Sequence, residues 1–226
     1  MDELDELLFE PPEIGTVLYM PGLPGGGSTI YDLSPYGNNG TILGAVWERT
    51  EGGLWSLNYD GVDDVTTIAY VAGQGLNVTT AVSVLFWYRP EGDASAANAN
   101  VFGRANFRIY QPTAATPTGL NTYVNTSAGG SFVSGGTLTL NKWHQLCLVF
   151  DKDLAAKEHM AYLDGVAATP ANNDGTLLVP TDPWYIGGGV AGQVNGSFAL
   201  CRIYFAPLDI SQIVNLYNKE RHYFGV

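Results

Sequence analysis

Trp55-Ser56-Leu57-Asn58-Tyr59-Asp60-Gly61-Val62-Asp63-Asp64 reads as a strand delivered onto a tight acidic turn. Asp-Gly supplies the positive φ that such a turn needs. A second unit of the same kind, Ala161-Tyr162-Leu163-Asp164-Gly165-Val166, comes late in the chain. Each run predicts strand, turn, strand, and the first should continue into a strand over 65–71.

The same two-residue period governs most of the chain. In residues 81–89, Val82, Val84, Phe86 and Tyr88 share one face, and Ser83, Leu85 and Trp87 the other. That alternation predicts a half-buried antiparallel strand. Further strands are predicted over 40–48, 54–59, 101–104, 107–111, 120–126, 137–140, 143–151, 158–164, 184–187 and 197–205. Turn residues punctuate them at 36–40, 60–61, 164–165, 174–175 and 187–189. Many short strands with closely spaced turns predict an all-β jelly-roll sandwich of two antiparallel sheets. One short C-terminal helix is expected. Asp209 caps it, Gln212 completes a capping box, and Ile210, Ile213, Leu216 and Tyr217 form its apolar stripe. It should plug one end or edge of the sandwich.

Composition narrows the function. Apolar residues are 46% of 226, enough for a sizeable core, and charged residues only 14%. The net charge of −12 argues against nucleic acid, whose binding needs a basic stripe, and against an anionic membrane surface. No stretch has the roughly 18 apolar residues of a membrane span. The N-terminus lacks a basic region followed by an apolar run, so no signal peptide is expected. Residues 1–14 form an acidic arm holding six of the 22 acids, ahead of one β domain over 15–226. Leu4, Leu7 and Leu8 sit there at helical spacing and are expected to anchor the chain to a protein partner or assembly. Cys147 and Cys201 point to different faces of their strands and are expected to be free, buried thiols.

Several landmarks come in a recognisable order. They are 32–41 (Asp-Leu-Ser-Pro-Tyr-Gly-Asn-Asn-Gly-Thr), 57–64, 82–90, Lys142-Trp143-His144 with Val149-Phe150-Asp151, 162–166, and a closing block from Ile186 to Ile213. Together they resemble laminin G-like domains of the concanavalin A-like lectin/glucanase superfamily, over roughly residues 16–220. The resemblance implies a jelly roll whose relatives are mostly glycan-, protein- or matrix-binding modules, with some glucanases. It also implies a structural Ca²⁺ near Asp32 and Asn38. The acids that would complete that site are replaced by Ala199 and Leu200.

No catalytic constellation stands out. Glycoside hydrolysis needs two carboxylates flanking the scissile bond, and the Glu-x-Asp-x-x-Glu strand pattern of glucanases on this fold is absent. His144, His159 and His222 read as structural or exposed. Trp87, facing away from the core side of its strand, is the candidate glycan platform, with Tyr110 and Tyr123 joining it. Loops 91–100, 111–119 and 170–183 are long and nearly uncharged, as interaction surfaces often are. The expected function is a non-catalytic module displayed on a larger assembly, such as a virion decoration or fibre protein, acting at a virion or extracellular surface, with surface glycan adhesion possible. The alternatives are a free lectin-like carbohydrate-binding module and, behind it, a hydrolase.

Overall fold

A computed structural model describes residues 15–178 and 181–226. The chain opens with β1 (Thr16–Met20), β2 (Thr29–Ile30), β3 (Gly40–Leu43), β4 (Val46–Arg49), β5 (Trp55–Asp60) and β6 (Val65–Ile68). Then come β7 (Ala81–Gly92), β8 (Ala99–Arg104), β9 (Phe107–Gln111), β10 (Gly119–Thr126) and β11 (Gly129–Thr137). β12 (His144–Asp151), β13 (His159–Leu163), β14 (Val166–Ala167), β15 (Trp184–Ile186) and β16 (Asn195–Tyr204) follow. Helix α1 (Ile210–Glu220) and a 3-10 turn (Arg221–Phe224) end the chain. The expected arm contacts of Leu4, Leu7 and Leu8 lie outside the described residues.

Two antiparallel sheets face each other. The back sheet runs β14-β13-β12-β7-β16-β5-β4, with β1 also on β16. The front sheet runs β11-β10-β9-β8-β15-β6-β3-β2. Val82, Val84, Phe86 and Tyr88 point between them, packed with Phe102, Phe107, Trp184 and Phe198. At Leu200, φ is +51°, and the register against β7 slips between Ala199 and Arg202. That bulge turns Ala199 and Leu200 both outward and returns Cys201 to the core. Cys147 is buried on the opposite, outer face, and both thiols are free.

Two expectations are corrected. The Asp60-Gly61 turn does not close a hairpin. β5 lies in the back sheet and β6 in the front, so the chain crosses between layers there. Val62 N donates to Asp60 Oδ1 and Asp60 N to Asp64 Oδ2, which folds the crossing on its own carboxylates. The second unit is a true hairpin, with Asp164 and Gly165 both at positive φ between paired Leu163 and Val166. The strand expected over 137–140 is instead β11, over 129–137.

The helix does not plug an end. It lies across the outer face of the back sheet, fixed by the expected capping box of Asp209 and Gln212. Ile213 and Leu216 cover Leu85, Cys147 and Val149. Beyond them, Trp87 stacks between Phe224 (4.1 Å) and Tyr217 (5.7 Å). Its Nε1 donates to Glu220 Oε2 at 2.7 Å, and Glu220 Oε1 lies 2.7 Å from Arg202 Nη1 as an ion pair. Burial alone would pull the Arg202 pKa down, but the facing Glu220 outweighs it and holds the guanidinium charged. Removing one member of such a pair leaves a buried charge, at about 3–5 kcal/mol.

A polar seam ties the sheets together at one side. His159 on β13 is fully buried, with Nε2 2.7 Å from Thr122 Oγ1 and Nδ1 2.8 Å from Ser131 Oγ. Asn173 extends the seam: its side-chain nitrogen donates to Val124 O and Ser131 Oγ, and its backbone nitrogen to Glu158 Oε2. Burial pushes the His159 pKa down from 6.5 to about 3. The loop expected over 170–183 is therefore partly internal, with Asn173 in the seam and Leu177 in the core.

Two tests follow from this packing. Glu220→Ala should lower the urea midpoint by the equivalent of about 3–5 kcal/mol, and Glu220→Gln, which keeps an acceptor for Trp87, should lose less. A wild-type midpoint in Glu220→Ala would contradict the seal. For His159, the folded state stays neutral while the unfolded chain takes up a proton. Its contribution is therefore complete above pH 6.5 and lost as pH falls towards 3, with a slope of up to about 1.4 kcal/mol per pH unit. Thermal melts across that range should show a shallower decline for His159→Gln than for the wild type.

Candidate functional site

Among the described residues, no helix covers the outer face of the front sheet. Register aligns its outward residues into a row across the sheet: Phe132, Tyr123, Arg108, Gly103, Tyr185, Thr67, Thr41 and Thr29. A parallel row holds Ser134, Asn121 and Tyr110, with Asn100 next to Tyr110. Phe132 is 61% exposed and tilts against Tyr123 at 4.7 Å. Gly130 makes room for that tyrosine, since a Cβ there would meet the ring at 2.7 Å. Asn100 is held by bonds from Nδ2 to Tyr185 O and Gly188 O. One rim is built from interlocked loops, with Ala94 N donating to Ala114 O and Ser95 N to Gln193 O.

Arg108 sits at the centre of this face. Its Cζ lies 5.0 Å from the Tyr110 ring and 5.8 Å from the Tyr123 ring. Burial lowers its pKa, while the two tyrosines oppose the shift. None of the eight front-sheet strands contains Asp or Glu. The back sheet differs: Glu48, Asp60, Glu91 and Asp151 all lie in its strands.

The structure places Tyr110, only 5% exposed, and the partly exposed Tyr123 on either side of Arg108, and separates both from Trp87. Trp87 is on the other sheet, at zero exposure beneath the C-terminal helix. The platform expectation for it is corrected: its outward face exists, but the chain covers it with its own Phe224 and Tyr217. Arg108, Phe132 and Tyr185 were not anticipated. Arg108 was legible, because it alternates in phase with Tyr110 in β9. Phe132 was not, because it stands in a run of Gly and Ser that reads as loop.

Asp32 and Asn38 do not form a Ca²⁺ cage. Asp32 Oδ1 accepts from Tyr19 N and Ser34 N, and Oδ2 from Ser34 Oγ and Asn38 N. Asn38 Nδ2 donates to Val17 O and Gln74 O, leaving Oδ1 buried and unbonded. One spare oxygen does not approach the six to eight that Ca²⁺ takes. The residues organise the turn's own backbone instead. Elsewhere, Asp60, Asp63 and Asp64 place carboxylate oxygens within 4.8 Å of one another. Burial raises the Asp64 pKa, and its neighbouring acids push the same way.

Acid–base chemistry finds little support on either face. On the back sheet, Glu91 is engaged by Arg89 Nε (2.7 Å), Asn58 Nδ2 (2.8 Å) and Ser197 Oγ (2.6 Å). Glu48 lies 3.5 Å from the same arginine. His144 pairs with Asp164 at 2.7 Å and accepts from Thr139 N, which ties it into the hairpin turn. Among the described residues no helix is long and apolar enough to cross a membrane.

Known proteins share this architecture. A family model described as the concanavalin A-like lectin/glucanases superfamily matches residues 60–214. No curated protein matches the sequence. The binding domain of Paraclostridial Mosquitocidal Protein 1 is 12% identical with a TM-score of 0.73, covering 93% of this chain and 55% of that one. The binding domain of Botulinum Neurotoxin DC in complex with SialylT is 14% identical with a TM-score of 0.69, covering 91% and 51%. Domain 4 of AbnA, a GH43 extracellular arabinanase from Geobacillus stearothermophilus, in complex with arabinotriose, is 16% identical with a TM-score of 0.65, covering 89% and 98%. The chain spans about half the length of the two toxin domains. At these identities the likeness is one of fold. The family model takes in well over half of the chain, and the two-sheet jelly roll agrees with it: the chain belongs to the laminin G-like domains of the concanavalin A-like lectin/glucanase superfamily.

Proposed function

We propose that this domain is a non-catalytic carbohydrate-binding module whose ligand lies on the outer face of the front sheet. One observation carries the reading: a row led by exposed Phe132, with partly exposed Tyr123, Arg108, Tyr185 and Asn121, on a sheet whose strands hold no carboxylate, opposite a sheet partly covered by the C-terminal helix. Sugar rings stack their C–H faces on such aromatics, while amides bind the hydroxyls. Preformed sites of this kind fix orientation with a few polar groups. The arabinotriose and SialylT complexes of its structural neighbours support a saccharide as the ligand class. Hydrolysis is disfavoured because the face offers no carboxylate pair.

Display on a larger assembly is the accompanying proposal, with a virion or another extracellular surface as the setting. It is favoured by the C-terminal helix, which covers part of the back sheet and leaves the front sheet to face outward. The acidic arm, with Leu4, Leu7 and Leu8, is the proposed anchor to a protein partner. Deleting residues 1–14 should then abolish co-assembly while leaving saccharide binding intact.

The ligand proposal is tested by a glycan array followed by calorimetry on its best saccharide. Phe132→Ala and Tyr123→Ala should each weaken binding by roughly tenfold, the equivalent of about 1.4 kcal/mol, with the circular dichroism spectrum unchanged. An array without hits, or full affinity in both variants, would remove the proposal.

A further inference from the structure

We propose that Arg108 reads a carboxylate, so that the saccharide taken by this face is an acidic one. The inference rests on the carbohydrate reading above and narrows its ligand class. The other arginines of known pairing spend their charge within the fold. Arg89 meets Glu91 and Glu48, and Arg202 meets Glu220. Arg108 has neither an ion pair nor a hydrogen bond among the described residues. Its Nε is enclosed and unbonded, and the residue as a whole is partly exposed.

Its two neighbours do not substitute for an acid. A tyrosine ring attracts the face of a guanidinium. The five N–H donors lie in the guanidinium plane, and ring contact leaves them unused. Contact with Tyr110 and Tyr123 therefore orients the fork without satisfying it. An oriented, unsatisfied fork matches the two oxygens of a carboxylate. Gly103 follows Arg108 in the row, so no side chain fills the space between Arg108 and Tyr185. A Cβ at Gly103 would come within 2.3 Å of Phe107 O, so the position admits nothing larger.

Charge distribution points the same way. The protein carries a net charge of −12, which would repel acidic ligands almost anywhere. The front-sheet strands are free of that charge, and Arg108 is the cation on their outer face. A neutral sugar would leave its donors to water. An acidic sugar can stack on Phe132 and Tyr123 and place its carboxylate on the fork.

Calorimetry with two matched pairs tests this: sialyllactose against lactose, and trigalacturonate against its methyl ester. The acidic member of at least one pair should bind roughly tenfold or more tightly than its neutral partner, and the pair that shows the preference identifies the source of the carboxylate. Arg108→Gln should abolish the preference, so that the acidic and neutral members of each pair bind alike. Arg108→Lys should keep only part of it, since an ammonium lacks the fork. Tyr123→Ala should weaken acidic and neutral ligands together. Equal binding within both pairs, or an undiminished preference in Arg108→Gln, would overturn the inference and leave the carbohydrate reading standing. Absence of binding to every saccharide, on the array and here, would overturn both.

Discussion

The contact on which the two-sided architecture depends is Trp87 sandwiched between Phe224 and Tyr217, with its indole nitrogen on Glu220. A large aromatic buries about 150–250 Å², which at about 25 cal/mol per Å² is roughly 4–6 kcal/mol before the entropy of ordering is counted. That gain holds the C-terminal segment on the back sheet. Glu220 makes the seal specific, because it must face Trp87 and Arg202 together. The buried ion pair adds little net stability by itself. Its effect is to allow one placement of the helix. Among the described residues the front sheet has no corresponding helix, and so the two outer faces differ.

The chemistry of the two sheets follows this division. Acids occupy the back sheet and the turns, where partners or water satisfy them. The front sheet contains threonines, asparagines, tyrosines and a single outward cation. None of the described front-sheet strands supplies a carboxylate for paired acid and base catalysis. A face built this way can supply stacking, amide hydrogen bonds and one fixed positive charge.

Much of this was legible in the sequence. The phase of residues 81–89 separated core from outer face correctly, and Cys147 and Cys201 fell on opposite faces as their alternation required. The helix cap was readable because it is local, being set by Asp209 and Gln212 three residues apart. The destination of the helix was not, because it depends on Trp87 and Arg202, far away in sequence. The same limit explains the platform. Alternation says that Trp87 points outward, but not whether the chain later returns to cover it. The turn at 60–61 was read as a hairpin because Asp-Gly fits one. Whether two strands pair or part after a turn is decided by the layers they join. β11 was missed because glycine and serine give no periodic signal, and its identity comes from pairing with β10.

One consequence concerns synthesis. β16 is flanked by β7, β5 and β1, yet follows all of them in the chain. As a ribosome emits this sequence, the centre of the back sheet arrives after its neighbours, and the aromatic clasp later still. Until then β7 exposes an unpaired edge and an uncovered tryptophan, features that invite aggregation and chaperone capture. The back sheet therefore cannot ripen strand by strand: its central strand arrives after the neighbours it joins, and the sheet closes through long-range pairing.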